Sequence, residues 1–244
     1  MSVVTWTGDT ITTSDSVRVA RPLSGAELRD AYLEAIQDLT LGLVRWRDNA
    51  LRLGPLELIR FGAESVDRHS VEWRIEGGLL ARAGGRWRIQ SEGGVVSATA
   101  SGHRPAIPRP FYDVSHLQVH LLATHLFLLR LRRNEPPPGI EAAREDRLRA
   151  AAVDVAFCLT LARLTGRRRL RRTLVITAAY HVACWSLFGR TLGGMVLRER
   201  VVSVDGSRPT PAQSMLRFAL LPLSWIARRS LHDDVAGTTV ITDR

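Results

Sequence analysis

Between residues 70 and 101 the chain alternates between apolar and polar positions. Val71, Trp73 and Ile75 are interleaved with Glu72, Arg74 and Glu76, Trp87 and Ile89 repeat the pattern within Arg86 to Gln90, and Val95 to Ser101 follows. A period of two turns one face of a strand to a core and the other to water. The pairs Gly77-Gly78, Gly84-Gly85 and Gly93-Gly94 separate these segments, which predicts an antiparallel meander. Leu56 to Phe61 reads as a strand ahead of it, and Val3 to Thr7 with Ser16 to Arg21 as a pair at the start of the chain. Ser24-Gly25-Ala26-Glu27 has capping-box spacing, so a helix should begin near Gly25. Leu28, Tyr32, Ala35, Ile36, Leu39 and Leu43 form its apolar stripe and carry the expected helix to about Val44. Pro105, Pro108 and Pro110 close the meander, and Phe111 to Leu131 is a long leucine-rich helical pattern.

The run Asn134-Glu135-Pro136-Pro137-Pro138-Gly139 breaks any regular element. The expected organisation is therefore an α+β domain over residues 1–133, a proline-rich linker over 134–146, and a small all-α module over 147–244. Three apolar stretches mark the module: Ala150 to Leu164, Thr173 to Phe188 and Met215 to Ala227. At a rise of about 1.5 Å per residue the first two reach roughly 22–24 Å, short of the roughly 30 Å of bilayer hydrocarbon. The third contains Arg217 and Pro222. Shallow insertion or snorkelling suits such segments better than a full crossing.

The order of strands, helix, curved meander and long terminal helix is similar to the helix-grip arrangement of START-like and polyketide-cyclase-like domains. That resemblance covers residues 1–133 and implies a hydrophobic small molecule or lipid held between sheet and terminal helix. Trp73 and Trp87 are the candidate pocket walls, with ordinary core packing as the alternative.

Four segments in the last third recur in a fixed order. The first is Arg147-Leu148-x-Ala150-x-x-Val153-Asp154, an arginine at the lip of an apolar helix and an aspartate two turns on. Tyr180 to Gly193 follows, with Trp185, Gly189, Thr191 and Gly193; then Val201-Val202-x-Val204-Asp205-Gly206; then Leu231-His232-Asp233-Asp234-Val235-Ala236-Gly237-Thr238. Together they resemble the RDD family of membrane domains, whose arginine and two aspartates fall on Arg147, Asp154 and Asp233. The resemblance also places a proline and a lysine where this chain has Leu192 and Gly194. It implies membrane association and imports cation/proton transport as an alternative activity, with Asp154 as the acidic group and an oligomer or another membrane protein as partner. An ionised Asp154 among alanine, valine and phenylalanine needs a cation, and Arg147 and Arg217 are the available partners. A turn or capping role competes with a functional one for Asp233.

Charge adds a constraint. The 34 basic side chains are all arginine, against 24 acidic ones, giving a net charge of +10. Arg167, Arg168, Arg169, Arg171 and Arg172 lie between two apolar stretches, a setting that favours lipid headgroups over nucleic acid. No recognition helix or aromatic RNA-binding motif accompanies them, so no nucleic-acid partner is expected. Arginines flank both ends of the first apolar stretch, which suits an interfacial or re-entrant hairpin. The segment MSVVTWTGDT lacks a basic n-region and an apolar h-region, predicting a cytoplasmic N-terminal domain beside the cell membrane.

Cys158 and Cys184 lie in apolar runs and imply no disulfide or zinc site. His116 and His120, one helical turn apart, lack a third ligand nearby in sequence, so neither metal nor cofactor is expected. No nucleophile elbow, phosphate-cradling glycine loop or catalytic carboxylate pair stands out, and no enzyme activity is expected. A membrane-associated protein with a ligand-binding cytoplasmic domain is the leading reading. Transport and a soluble hydrophobic-ligand-binding protein are the alternatives.

Overall fold

The computed structural model describes residues 3–132, 135, 137–164, 170–227 and 230–243. The chain divides into two compact units, Met1–Arg133 and Asn134–Arg244.

The first unit opens with β1 (Val3–Thr7) and β2 (Thr10–Arg18), followed by α1 (Gly25–Leu39). Then come β3 (Val44–Arg47), β4 (Ala50–Leu53), β5 (Leu56–Phe61), β6 (Ser65–Val66), β7 (Ser70–Gly77), β8 (Ala81–Arg82), β9 (Arg86–Glu92) and β10 (Val95–Pro105). Helices α2 (Arg109–Val114) and α3 (His116–Arg132) close it. The main sheet is antiparallel throughout, ordered β1-β2-β10-β9-β7-β5-β4-β3. The expected order of strand pair, helix, meander and terminal helices is observed, with the second strand beginning at Thr10 rather than Ser16 and with β3 and β4 added between α1 and β5.

The Ser24 hydroxyl accepts from the Glu27 amide while Glu27 reaches back to the Ser24 amide, the full capping box. The helix ends at Leu39, however, five residues short of the expected Val44. Leu41 and Gly42 take φ of 53° and 77°, a left-handed turn that reverses the chain into β3. Leu43, expected on the buried stripe, is exposed in consequence. The helix expected from Phe111 is likewise broken at Ser115, which separates α2 from α3.

Helices α1 and α3 pack on the sheet. Leu28 and Ala35 from α1 meet Phe127 and Leu128 from α3 and the inward residues Val71, Trp73, Trp87, Ile89 and Val96. The Tyr32 ring lies 5.5 Å from Trp73, 5.7 Å from Trp87 and 5.4 Å from Phe127, so aromatic rings fill the space between helices and sheet. Trp73 and Trp87, the candidate pocket walls, are both buried members of this core.

The two metal-spaced histidines have other neighbours. His120 Nε2 lies 3.0 Å from Thr13 Oγ1 with its ring edge-on to Trp87, and His116 stacks on Tyr112. Among the described residues no group of three or more metal-ligating side chains forms a metal site.

The second unit contains β11 (Ile140–Glu141), α4 (Arg144–Leu164), α5 (Leu170–Ala183), a π-helical turn (Cys184–Phe188), α6 (Leu192–Leu197), β12 (Glu199–Ser203), α7 (Pro211–Ala227), α8 (Leu231–Ala236) and β13 (Thr238–Thr242). Its strands form a sheet ordered β11-β13-β12, which corrects the all-helical expectation. The β-branched runs Val201-Val202 and Thr238 to Ile241 pair antiparallel and bury Val201, Val202, Val240 and Ile241. The expected linker takes part in the same sheet, because Ile140 and Glu141 pair with Thr242 and Ile241. No described helix is long and apolar enough to cross a membrane.

Acid should weaken the first unit. Burial lowers the pKa of His103 to about 4, with His116 adding to it, and burial with a smaller contribution from His103 does the same to His120. Both rings are neutral in the fold and free to take a proton when unfolded. Their stability contribution is complete above pH 6.5 and is lost as pH falls towards about 4. The melting temperature of the first unit should fall across that window, and His120→Asn should flatten the fall; an unchanged profile in the variant would contradict this assignment.

Candidate functional site

Two buried carboxylates organise the second unit. Asp233, 5% exposed at the start of α8, accepts from Arg147 on α4 and Arg217 on α7. Thr238 Oγ1 donates to Asp233 Oδ1 at 2.9 Å, and Arg217 Nη1 lies 2.8 Å from the same hydroxyl. His232 Nε2 is 3.4 Å from Asp233 Oδ2, while its Nδ1 lies 2.8 Å from Ser224 Oγ. The Arg217 guanidinium stands 4.8 Å above the Trp185 ring, so the π-helical turn joins the network through a cation–π contact. Burial pushes the Asp233 pKa up, but Arg217, His232 and Arg147 together outweigh it and hold the carboxyl below its ordinary value. Burial lowers the pKa of His232 to about 4, against the opposing pull of Asp233, and its ring stays neutral at pH 7.

Asp154, 4% exposed on α4, has different partners from those expected. Its Oδ1 accepts from the Tyr180 hydroxyl at 2.8 Å and from the Gly193 amide at 2.9 Å. Tyr180 Oη in turn accepts from the Leu192 amide at 2.7 Å. Asp154 therefore satisfies the first-turn amides of α6, directly and through Tyr180, whereas both candidate arginines go to Asp233. The reason is placement: the signature arginine and the last aspartate occupy facing ends of α4 and α8, and Asp154 sits two turns away beneath α6.

The other signature residues set backbone geometry. Thr191 caps α6 by accepting from the Gly194 amide, and a Cβ on Gly193 would collide with the Ala150 carbonyl where α6 crosses α4. Gly189 and Gly237 terminate the π-helical turn and α8 in the left-handed region. Asp205 accepts from the Ser207 amide, and Gly206 completes that turn with φ of 81°.

Arg171 and Arg172 are exposed in the first turn of α5, while Arg167, Arg168 and Arg169 lie outside the described residues.

Gln213, Ser224, Thr238 and Glu199 are site residues that the sequence pattern does not mark as such. Gln213 is fully buried and donates to the Ala236 carbonyl at 3.0 Å; its pairing with Thr210 is a capping box readable as Thr210-x-x-Gln213. Arg217 carried a signal too, as a lone cation in an apolar helical run.

These elements surround a cleft of 640 Å³ whose lining includes Arg147, Asp154, Trp185, Glu199, Arg217 and His232. It is a place where opposite charges converge beside aromatic rings, suited to holding a small polar or charged group.

The RDD family model matches residues 172–240, from within α5 to within β13. The match contains Trp185, Gly193 and Asp233; Arg147 and Asp154 lie just upstream of it and are joined to it by the contacts above. No curated protein and no solved structure matches the chain.

Removing the shared carboxylate leaves two guanidiniums without their counter-charge. Asp233→Asn should destabilise the second unit by about 3–5 kcal/mol, and adding Arg217→Met should recover part of that loss. Denaturant unfolding of the single and double variants measures both effects; strictly additive losses would contradict a shared network.

Proposed function

We propose that the second unit seats the protein at a membrane surface, with its arginine–aspartate network holding the helices that present apolar side chains to lipid. The observation that carries this reading is the exposure of large apolar residues on that unit. Leu148, Val155 and Leu159 stand out from α4, Leu174 and Val175 from α5, and Leu187 and Phe188 from the π-helical turn. Trp225 and Ile226, near the end of α7, are 74% and 80% exposed. Water-facing surfaces avoid such concentrations unless a partner or a bilayer covers them. The RDD match to the same unit supports a bilayer.

Helices that are not both long and apolar enough to cross suit shallow insertion, with tryptophan at headgroup depth. The exposed Arg171 and Arg172 add attraction to anionic lipid, and the first unit would lie on the cytoplasmic side. The ligand reading for that first unit is less well supported, because Tyr32, Trp73, Trp87 and Phe127 occupy the space a guest would need. Asp154 borders the cleft, yet its Oδ1 is committed to two donors, so a structural role suits it better than proton transfer.

Vesicle co-sedimentation tests the reading. The full chain should pellet with vesicles containing phosphatidylglycerol, and the double variant Trp225→Ser/Ile226→Ser should bind about ten-fold more weakly. Protein that stays in the supernatant with every vesicle would overturn it.

A further inference from the structure

Glu199, the first residue of β12, is 3% exposed and borders the cleft of the second unit, yet its buried Oε1 has no hydrogen-bond partner among the described residues. A buried acid is costly unless paired, and such a group in a native fold calls for a complement. Across the same cleft Arg217, 4% exposed, uses Nη1 for Asp233 and Thr238, while its buried Nε has no acceptor. Arg144, at the start of α4, also borders the cleft and has no carboxylate partner among the described residues. The cleft therefore holds an acid oxygen without a donor and a guanidinium nitrogen without an acceptor. Leu148 and Trp225, both exposed, also line it, so the cleft adjoins the apolar surface assigned above to lipid.

We propose that this cleft binds the phosphoethanolamine headgroup of a zwitterionic phospholipid, its ammonium on Glu199 and its phosphate facing Arg217 and Arg144. A primary ammonium offers three N–H donors to a carboxylate, whereas a quaternary choline offers none. A simple anion would leave Glu199 unpaired, and a simple cation would leave Arg144 without a carboxylate and the Arg217 Nε without an acceptor. The two charges on adjoining parts of one headgroup answer both needs, and its acyl chains would leave past Leu148 and Trp225. Burial raises the pKa of Glu199, with Asp146 adding to it and Arg147 opposing it, so an ammonium partner would also hold the carboxylate ionised.

The proposal rests on membrane seating by the second unit, and the test separates the two. The full chain is sedimented with phosphatidylcholine vesicles, with equal parts phosphatidylcholine and phosphatidylethanolamine, and with phosphatidylcholine containing phosphatidylglycerol. Phosphatidylethanolamine should raise the bound fraction by at least about three-fold over phosphatidylcholine alone. Glu199→Gln, checked for folding by circular dichroism, should lose that preference while keeping its binding to phosphatidylglycerol. Soluble glycerophosphoethanolamine should raise the melting temperature of the wild type where glycerophosphocholine does not, which assigns the effect to headgroup chemistry rather than to bilayer packing. Equal binding to ethanolamine and choline vesicles, an ethanolamine preference kept by Glu199→Gln, or equal effects of the two soluble headgroups would each overturn the assignment. Binding to no vesicle at all would instead remove the membrane reading on which it stands.

Discussion

A single buried carboxylate ties together three helices of the second unit. Asp233 accepts from Arg147 on α4 and Arg217 on α7 while itself opening α8. Burying one acid and a nearly inaccessible guanidinium carries a desolvation penalty that only close, multiple pairing offsets. The arrangement meets that condition with Thr238, which donates to the carboxylate and accepts from Arg217, and with Trp185 beneath the guanidinium. Such a junction sets geometry more than it adds stability, because apolar replacements of similar volume often do as well energetically. Its specificity is that only one register of α4, α7 and α8 brings all three charged groups together.

That requirement explains how short helices can present so much apolar surface without collapsing onto one another. Helices in a water-soluble bundle turn their apolar stripes inward, and the stripes themselves fix the packing. In the second unit a share of the large apolar residues faces outward, so polar contacts carry more of the internal positioning. Asp154 plays the corresponding part for α6, joining it to α4 and α5 through Gly193 and Tyr180. A fold fixed by internal polar junctions does not depend on those outward apolar side chains for its own packing.

The sequence shows this plan unevenly. Periodicity located the meander and the capping box, because those depend on neighbours a few residues away. It overran the end of α1, where Leu43 continued the stripe but Gly42 supplied the turn, a local backbone preference that outweighed the pattern. The signature residues were visible as residues, yet their pairing was not. Arg147 and Asp233 are 86 positions apart, and nothing along the chain indicates that the arginines prefer this aspartate to Asp154. Glu199 was silent for the same reason: in sequence it is one acid in a polar turn, and only the packing of β12 removes it from water. The β11-β13-β12 sheet is also not legible, since β11 has two residues, β12 and β13 have five each, and β13 follows a charged helix without the alternation that announces a solvent-facing strand.

The contrast between the two cores bears on where a ligand could be accommodated. In the first unit Trp73 and Trp87 have buried indole nitrogens without acceptors, but the rings around them are in mutual contact and leave the helix–sheet space occupied by side chains. Opening that space would require separating aromatic contacts worth about 0.5–1.5 kcal/mol each beyond their burial. The second unit has its cleft already formed, with the Glu199 Oε1 and the Arg217 Nε on its lining residues lacking partners. A guest in the second unit would need little rearrangement, whereas one in the first unit would have to displace packed rings, so preorganisation separates the two cores.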